Sequence, residues 1–216
     1  MTPYETYKTF WDLLNVSRET VDTLSLFTQK LQKRQDEINL ISRRVTDDLW
    51  MRHVIDSVQL TKFVSRETTS GIDFGSGGGF PGIILSILNP KIKFHLVESR
   101  GKKSEFLKEV IEEMSLNACV VHDRIERVVP WKEDLITARA LAPLEKLIPL
   151  IFPFVDDSTY LILPKGKNVK EEISVFEKSW SADIEFHKSL TSDEGTILLL
   201  RHLKIKNKNS KNGKES

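Results

Sequence analysis

The run Asp73-Phe74-Gly75-Ser76-Gly77-Gly78-Gly79-Phe80-Pro81-Gly82 constrains this chain more than any other stretch. It begins at the end of the apolar segment GIDF and opens into the helical segment FPGIILSIL. Side chains would block close backbone approach at such a turn and would resist the positive φ angles it needs. A glycine-rich turn between a strand and a helix is where a doubly wound α/β fold binds a nucleotide. The next apolar run, KFHLVE, ends on Glu98. A carboxylate at that strand end can accept hydrogen bonds from both ribose hydroxyls of an adenosine.

The sequence around the turn has the texture of such a fold. From Gly71 onward, short apolar runs (GIDF, KFHLVE, ACVVH, DLITAR, STYLILP) alternate with amphipathic segments, among them KKSEFLKEVIEEM and KNVKEEISVFEKSW. That alternation predicts a mainly parallel sheet with helices on both faces and right-handed crossovers. The last two runs, ADIEFHKSL and TILLLRHL, have no helix between them and predict an antiparallel C-terminal hairpin at a sheet edge. Before the turn the periodicity is helical. Phe10, Leu13 and Leu14 share a face, and Val21, Leu24, Phe27, Leu31 and Ile38 recur near a 3.6-residue period. Ser17 and Thr46 are the expected N-caps, the latter opening a helix through Trp50, Val54, Ile55 and Val58. The expected organisation is an N-terminal helical cap over residues 1–66, an α/β core over 67–203 and a disordered basic tail over 204–216, with cap and core forming one domain.

Composition narrows the functional classes. The tail carries five lysines and one glutamate, so residues 1–203 hold 27 basic and 30 acidic side chains. Any nucleic-acid surface must therefore come from local clustering. Cys119, the lone cysteine, sits in NACVVH and is expected to be a buried strand residue. The five histidines show no metal-ligand spacing, so no metal is expected. With no long apolar run and no signal-peptide layout, the expectation is a cytoplasmic protein that stays off membranes.

Two cofactor classes fit the turn. Gly77, Gly79 and Gly82 satisfy G-x-G-x-x-G with Glu98 21 residues after Gly77, the spacing of a dinucleotide site. Asp73 with Gly75, Gly77 and Gly79 satisfies D-x-G-x-G-x-G, the pattern of methyltransferases, in which the acid beside the turn can hold the ammonium of a methionine moiety. No Ser/Tyr/Lys or His/Asp constellation for hydride transfer accompanies the first reading. A nucleotide-binding regulatory module without catalysis is the alternative from another class.

Residues 36–170 resemble the ribosomal RNA small-subunit methyltransferase G family, also called glucose-inhibited division protein B. The matching stretches are DEINLISRRVTDDLWMRHVIDSVQL, DFGSGGGFPGIILSI, HLVESRGKKSEFLKEV, the acid after DRI, ARALAPLEKL and LPKGK. The resemblance implies a Rossmann-like class I methyltransferase that uses S-adenosyl-L-methionine to methylate guanine N7 in 16S ribosomal RNA, giving 7-methylguanosine. A monomer acting on small-subunit RNA or the 30S particle is expected. Carried over by position, cofactor contacts fall at Gly75 and Phe80, at Ile125 and Glu126, and at Arg139. The family commonly has Gly and Ala where this chain has Asp123 and Ile125, so the adenine pocket is expected to differ in shape.

The chemistry agrees with the residues that are missing. An exocyclic amine acceptor goes with a D/N-P-P-Y/F motif, whereas this chain has Ala138-Arg139-Ala140-Leu141-Ala142-Pro143 after the fourth strand. Pyrimidine C5 methylation needs a cysteine nucleophile, and Cys119 is expected to be buried. Guanine N7 has a free lone pair and needs no general base. Arg139 is the expected catalytic residue, its planar guanidinium gripping the cofactor carboxylate or orienting the base. His53 and Asp56, three apart in RHVIDS, are expected on one helix face, bracing the cap against the core. RNA contacts are expected at Arg43, Arg44, Arg52 and His53, at Lys102 and Lys103 beside Arg100, and at Lys165 and Lys167. The remaining alternative is a class I methyltransferase for another RNA, a protein or a small molecule.

Overall fold

A computed structural model describes residues 1–42 and 48–206. Arg43, Arg44, the expected N-cap Thr46 and nearly all of the basic tail lie outside the described residues.

The N-terminal third is helical. Helices α1 (Pro3–Thr6) and α2 (Lys8–Leu14) lead into α3 (Arg18–Ile38). Ser17 caps α3, its hydroxyl accepting from the Thr20 amide at 3.2 Å. Val21, Leu24, Thr28, Leu31 and Gln35 are buried along one stripe of α3, and Asn39 stops it in the left-handed conformation. In α2 the buried anchor is Trp11, whose indole N–H donates to the Pro3 carbonyl at 3.2 Å. Leu13, expected to share a buried face, is 53% exposed. Gln35 then fixes the chain's exit from α3: its amide accepts from the Ile41 N–H at 2.9 Å and donates to the Ile41 carbonyl at 2.7 Å. The segment expected to be a regular helix through Trp50 and Val58 is instead a π-helical turn (Trp50–Ile55), a short α4 (Asp56–Val58) and a 3-10 turn (Gln59–Phe63). The wider π turn re-aims side chains relative to an α-helix, as such turns often do beside functional sites.

The core follows the expected alternation: β1 (Ser70–Phe74), α5 (Gly82–Leu88), β2 (Lys93–Val97), α6 (Gly101–Glu113), β3 (Ala118–Val121), β4 (Leu135–Ala138), α7 (Leu144–Ile151), β5 (Tyr160–Lys165), α8 (Val169–Phe176), β6 (Trp180–Lys188) and β7 (Thr196–Ile205). The sheet order is β3-β2-β1-β4-β5-β7-β6, with β1 to β5 parallel and β7 inserted antiparallel between β5 and the edge strand β6. Winding reverses between β1 and β4, so the ends of those strands open a crevice of the kind that binds ligands in open α/β sheets.

Each sheet face is covered. On one side Ile83 and Leu85 of α5, Phe106 and Leu107 of α6, and Val21, Leu24 and Phe27 of α3 share a core with Phe94 and Leu96. On the other, Leu147, Ile151 and Phe176 of α7 and α8 pack on Ile72, Phe74 and Ile136. Burying one Leu- or Phe-sized side chain stabilises by roughly 1.5–3 kcal/mol, so the cap residues inside the first core are integral to it.

Candidate active site

Two separate physical needs make the turn after β1 rich in glycine. Gly77 has φ +55°, and a Cβ built there would meet nothing nearer than the Gly75 carbonyl at 3.7 Å and the Lys103 Nζ at 3.9 Å. Its missing side chain leaves room in the crevice. Gly82, at the start of α5, faces inward: a Cβ would stand 2.4 Å from Leu96 Cδ2 and 2.7 Å from Asp73 Oδ2.

Glu98 ties the turn to the end of β2. One carboxylate oxygen accepts from the Gly77 N–H at 2.8 Å, the other from the Arg100 N–H at 2.8 Å, and the side chain is buried. Each oxygen keeps capacity for a second donor. Glu98, Gly75, Gly77, Ile125, Glu126 and Lys103 line a cavity of about 500 Å³. Ile125 and Glu126 begin a 3-10 turn (Ile125–Arg127) after β3.

Other expected cofactor residues support this cavity from outside it. Asp73 is fully buried beneath the turn, accepting from the Thr137 hydroxyl at 2.7 Å and from the Gly82 N–H at 3.2 Å. β1 alternation turns this side chain down toward α5, where it clamps the helix start. Burial pushes its carboxyl up to about 6, against the hydrogen bonds from Thr137, Ser76 and Gly82 that favour the anion. Gly79 packs against Ile83 and Phe27. Phe80 is buried with its ring edge-on to Phe27 at 5.4 Å and 4.9 Å from the His53 ring, so it too is a support.

Arg139, one residue beyond β4, faces a second cavity of about 740 Å³ instead of the first. Its guanidinium donates to Asp56 Oδ2 and the Arg52 carbonyl, each at 3.1 Å, and its second nitrogen meets His53 Nδ1. The group also lies over the Phe80 ring, 5.4 Å from the centroid. An arginine only donates, so His53 Nδ1 is the acceptor and Nε2 carries the proton. Burial, then the Arg139 and Arg52 charges, lower the imidazole to about 3, which keeps it neutral. Its Nε2 is buried with no hydrogen-bond partner among the described residues. Asp56 Oδ1 accepts from Thr191 Oγ1 at 2.7 Å and Gln59 Nε2 at 2.9 Å. His53 and Asp56 thus brace cap against core, through Arg139 and the β6–β7 connection.

The two cavities share Ala140, Leu141 and Ala142 as a common wall. Lys165, expected to meet RNA phosphate, is buried in the second cavity, its side chain 8% exposed. Its Nζ pairs with Glu172 Oε2 at 2.6 Å and donates to the Ala142 carbonyl at 3.2 Å, which removes it from the rim. Lys103, also expected at RNA, reaches into the first cavity and donates to the Leu40 carbonyl at 3.0 Å; burial lowers its ammonium pKa. Arg52, Lys102 and Lys167 are exposed. Sequence reasoning missed Glu172, Lys103 as a cavity residue and Thr191, for none of which a local motif exists.

Cys119 lies on β3 as expected but is half-buried, paired across the strands with His95. The neighbouring Cys119 and Glu133 raise His95 to about 9, and His95 in turn lowers the thiol. This cluster lines neither cavity. Among the described residues no group of three or more His, Cys, Asp and Glu side chains is placed to hold a metal ion, and no helix is long and apolar enough to cross a membrane.

The sheet order, the glycine turn at its switch point and the carboxylate ending β2 define a class I methyltransferase fold. Solved structures agree: the fibrillarin/Nop5p complex superposes with a TM-score of 0.56 at 16% identity, covering 70% of this chain and 82% of that one. A Glu-to-Gln mutant of MtNAS in complex with S-adenosylmethionine gives 0.55 at 16% identity, covering 90% of this chain and 83% of that one. In sequence, the model of the family GidB, rRNA small subunit methyltransferase G, matches residues 20–203. The chain is 39% identical over 211 residues to the ribosomal RNA small subunit methyltransferase G of Zymomonas mobilis, covering 94% of both chains. It is 40% identical over 194 residues to that of Cereibacter sphaeroides, covering 88% of this chain and 94% of the relative. The chain belongs to the rRNA small subunit methyltransferase G family and is a methyltransferase.

Proposed function

We propose that this enzyme transfers a methyl group from S-adenosyl-L-methionine to N7 of one guanine in small-subunit ribosomal RNA, acting as a cytoplasmic monomer on the RNA or the 30S particle. The observation that carries this reading is the pair of cavities that meet at Ala140–Ala142, one lined by the glycine turn and Glu98 and the other by fixed cationic and anionic groups.

The cofactor fits the first cavity on the chain's own terms. The space at Gly77 is one that any Cβ would enter, and Glu98 keeps acceptor capacity for ribose hydroxyls. The backbone at Ile125 and Glu126 would border the adenine. S-adenosyl-L-methionine supplies a sulfonium methyl: the N7 lone pair forms the new N–C bond, and the electrons of the broken S–C bond stay on sulfur. No proton moves. The neutral His53, its Nδ1 engaged by Arg139, is therefore suited to shaping and not to base catalysis. Alignment alone can contribute on the order of 7–11 kcal/mol, and Arg139, held on three sides and stacked on Phe80, provides a rigid edge against which a base can be aligned.

In A-form RNA the N7 edge lines a deep, narrow groove that side chains do not read, so the target guanine belongs in a loop or other unpaired segment. Swinging it into the second cavity costs a few kcal/mol, least where it is already unstacked. The exposed Arg52, Lys102 and Lys167 then meet phosphates, with Arg43 and Arg44 joining them. The test is primer extension after borohydride and aniline treatment, which cleaves at 7-methylguanosine, in cells with and without the active protein. A cleavage site that disappears with the protein is expected; identical patterns refute the reading, and a difference confined to transfer RNA keeps the chemistry but overturns the substrate.

A further inference from the structure

The second cavity holds an ion pair that neither the methyl donor nor the phosphate backbone explains. Lys165 and Glu172 sit on its floor, with side chains 8% and 21% exposed, between the apolar residues Leu141, Pro143, Pro164 and Ile197. A partly buried ion pair depends on further hydrogen bonds to complete its remaining lone pairs and protons. Those bonds are incomplete here. Glu172 Oε2 takes both available donors, the Leu144 N–H at 2.8 Å and the Lys165 ammonium at 2.6 Å. No donor among the described residues reaches Oε1. The ammonium spends its other hydrogen bond on the Ala142 carbonyl at 3.2 Å, leaving one of its three protons. The pair therefore presents to the cavity one acceptor and one donor, side by side and fixed.

We infer that Lys165 and Glu172 read the Watson–Crick edge of the target guanine, the ammonium donating to O6 and Glu172 Oε1 accepting from N1–H and the exocyclic N2 amine. The inference rests on the guanine-N7 reading given above and deepens it. Guanine offers an acceptor beside two donors, the complement of what the pair presents. Adenine offers a donor at N6 and an acceptor at N1, which would set like against like at both positions. Cytosine likewise sets like against like at both positions; uracil matches at O4 and N3–H but carries the acceptor O2 where guanine has its amine, and both pyrimidines lack N7. The arrangement also places the reacting atom. O6 and N7 share one edge of the purine, and Lys165 is bonded to Ala142, part of the wall common to the two cavities. A base anchored through O6 there carries N7 to that wall, while Arg139 bounds the same cavity near Ala140.

The test is a cycle between one protein atom group and one base atom group. Small-subunit RNA carrying either guanosine or inosine at the methylated position, made by splinted ligation, is assayed with wild type, Glu172→Ala and Glu172→Gln. Inosine lacks only the N2 amine. Wild type should lose about 10- to 100-fold in kcat/KM on inosine, the usual range for one well-placed base contact. In both variants the guanosine-to-inosine ratio should fall to about 3 or less, whatever their absolute rates. Because the ratio is taken within each protein, loss of the Leu144 and Lys165 contacts, or of stability, cancels out. S-adenosylmethionine affinity by calorimetry should be unchanged in Glu172→Gln. If wild type makes 7-methylguanosine but the ratio is the same in all three proteins, this inference is overturned and the N7 reading stands. If wild type yields no 7-methylguanosine, both fall.

Discussion

Gly77→Ala and Gly82→Ala are the same chemical change five residues apart, and the geometry assigns them opposite consequences. At Gly82 the new methyl would stand 2.4 Å from Leu96 Cδ2 and 2.7 Å from Asp73 Oδ2, both in fully buried side chains. Overpacking of that kind costs about 1–3 kcal/mol, and distortion of the Gly82–Asp73 hydrogen bond adds to it, while the helix preference of Ala over Gly returns up to about 1 kcal/mol. A net loss of about 1–2 kcal/mol corresponds to a fall in Tm of about 2–8 °C for a chain this size. At Gly77 the methyl meets no atom within 3.6 Å, so the stability cost is only that of φ +55°, about 1 kcal/mol. It projects into the cofactor cavity, however, and S-adenosylmethionine affinity should drop at least tenfold. Denaturant melts and calorimetric titration of both variants give the four numbers needed. If Gly82→Ala melts with wild type, or Gly77→Ala binds S-adenosylmethionine as tightly as wild type, the division of the turn into a packed and an open half is wrong.

Arg139→Ala should cut turnover by about 100-fold, the scale of a lost positioning contact, with S-adenosylmethionine affinity within twofold, because the side chain lines the second cavity and not the first, which is proposed for the cofactor; a parallel loss of affinity would return Arg139 to the cofactor. Replacing exposed Lys167 with Ala should weaken RNA binding and lower the slope of log K against log salt by roughly 0.7–0.9, whereas Lys165→Ala should leave that slope unchanged. Asp73 supplies a pH test. Its folded carboxyl titrates near 6 against 3.8 for the free group, so the stability it contributes is complete below pH 3.8 and lost as pH rises through 6. The full shift amounts to about 3 kcal/mol. The unfolding free energy of wild type relative to Asp73→Asn should therefore decline by up to that amount between pH 4 and 6 and stay level above; a difference independent of pH would mean that Asp73 is not desolvated.

What the sequence revealed was what backbone geometry forces within short spans. The glycines, the strand before them and Glu98 all fall within about thirty residues, and each has a local reason to be where it is. Ser17 was legible for the same reason, since its cap depends only on the three residues after it. Where a side chain's placement was not legible, partners outside the local string decided it. The string around Lys165 is equally consistent with an exposed rim lysine; what buries it is Glu172 on the following helix and β7 folding back antiparallel along β5. The same alternation that put Asp73 beside the glycines also turned its carboxylate away from them. A spacing rule counts residues along β1, but whether position 73 faces ligand or helix depends on α5 and Thr137 across the sheet.

The π turn from Trp50 to Ile55 shows why the acceptor side was the less legible half. Apolar spacing there is compatible with an ordinary helix, and an ordinary helix was the expectation. The residues that matter, His53 and Asp56, serve Arg139, which is more than eighty positions away, and Asp56 also holds Thr191, a further fifty on. The second cavity is assembled from four such segments, around residues 52–56, 139–143, 164–172 and 189–197. Cofactor recognition can rest on one turn because every class I enzyme of this kind faces the same nucleotide. Recognition of the acceptor base must instead be built from side chains converging at the open end of the sheet. Their chemistry becomes visible only when topology brings them together, and a pair such as Lys165 and Glu172 then stands out because neither structure nor cofactor accounts for its last two hydrogen-bonding groups.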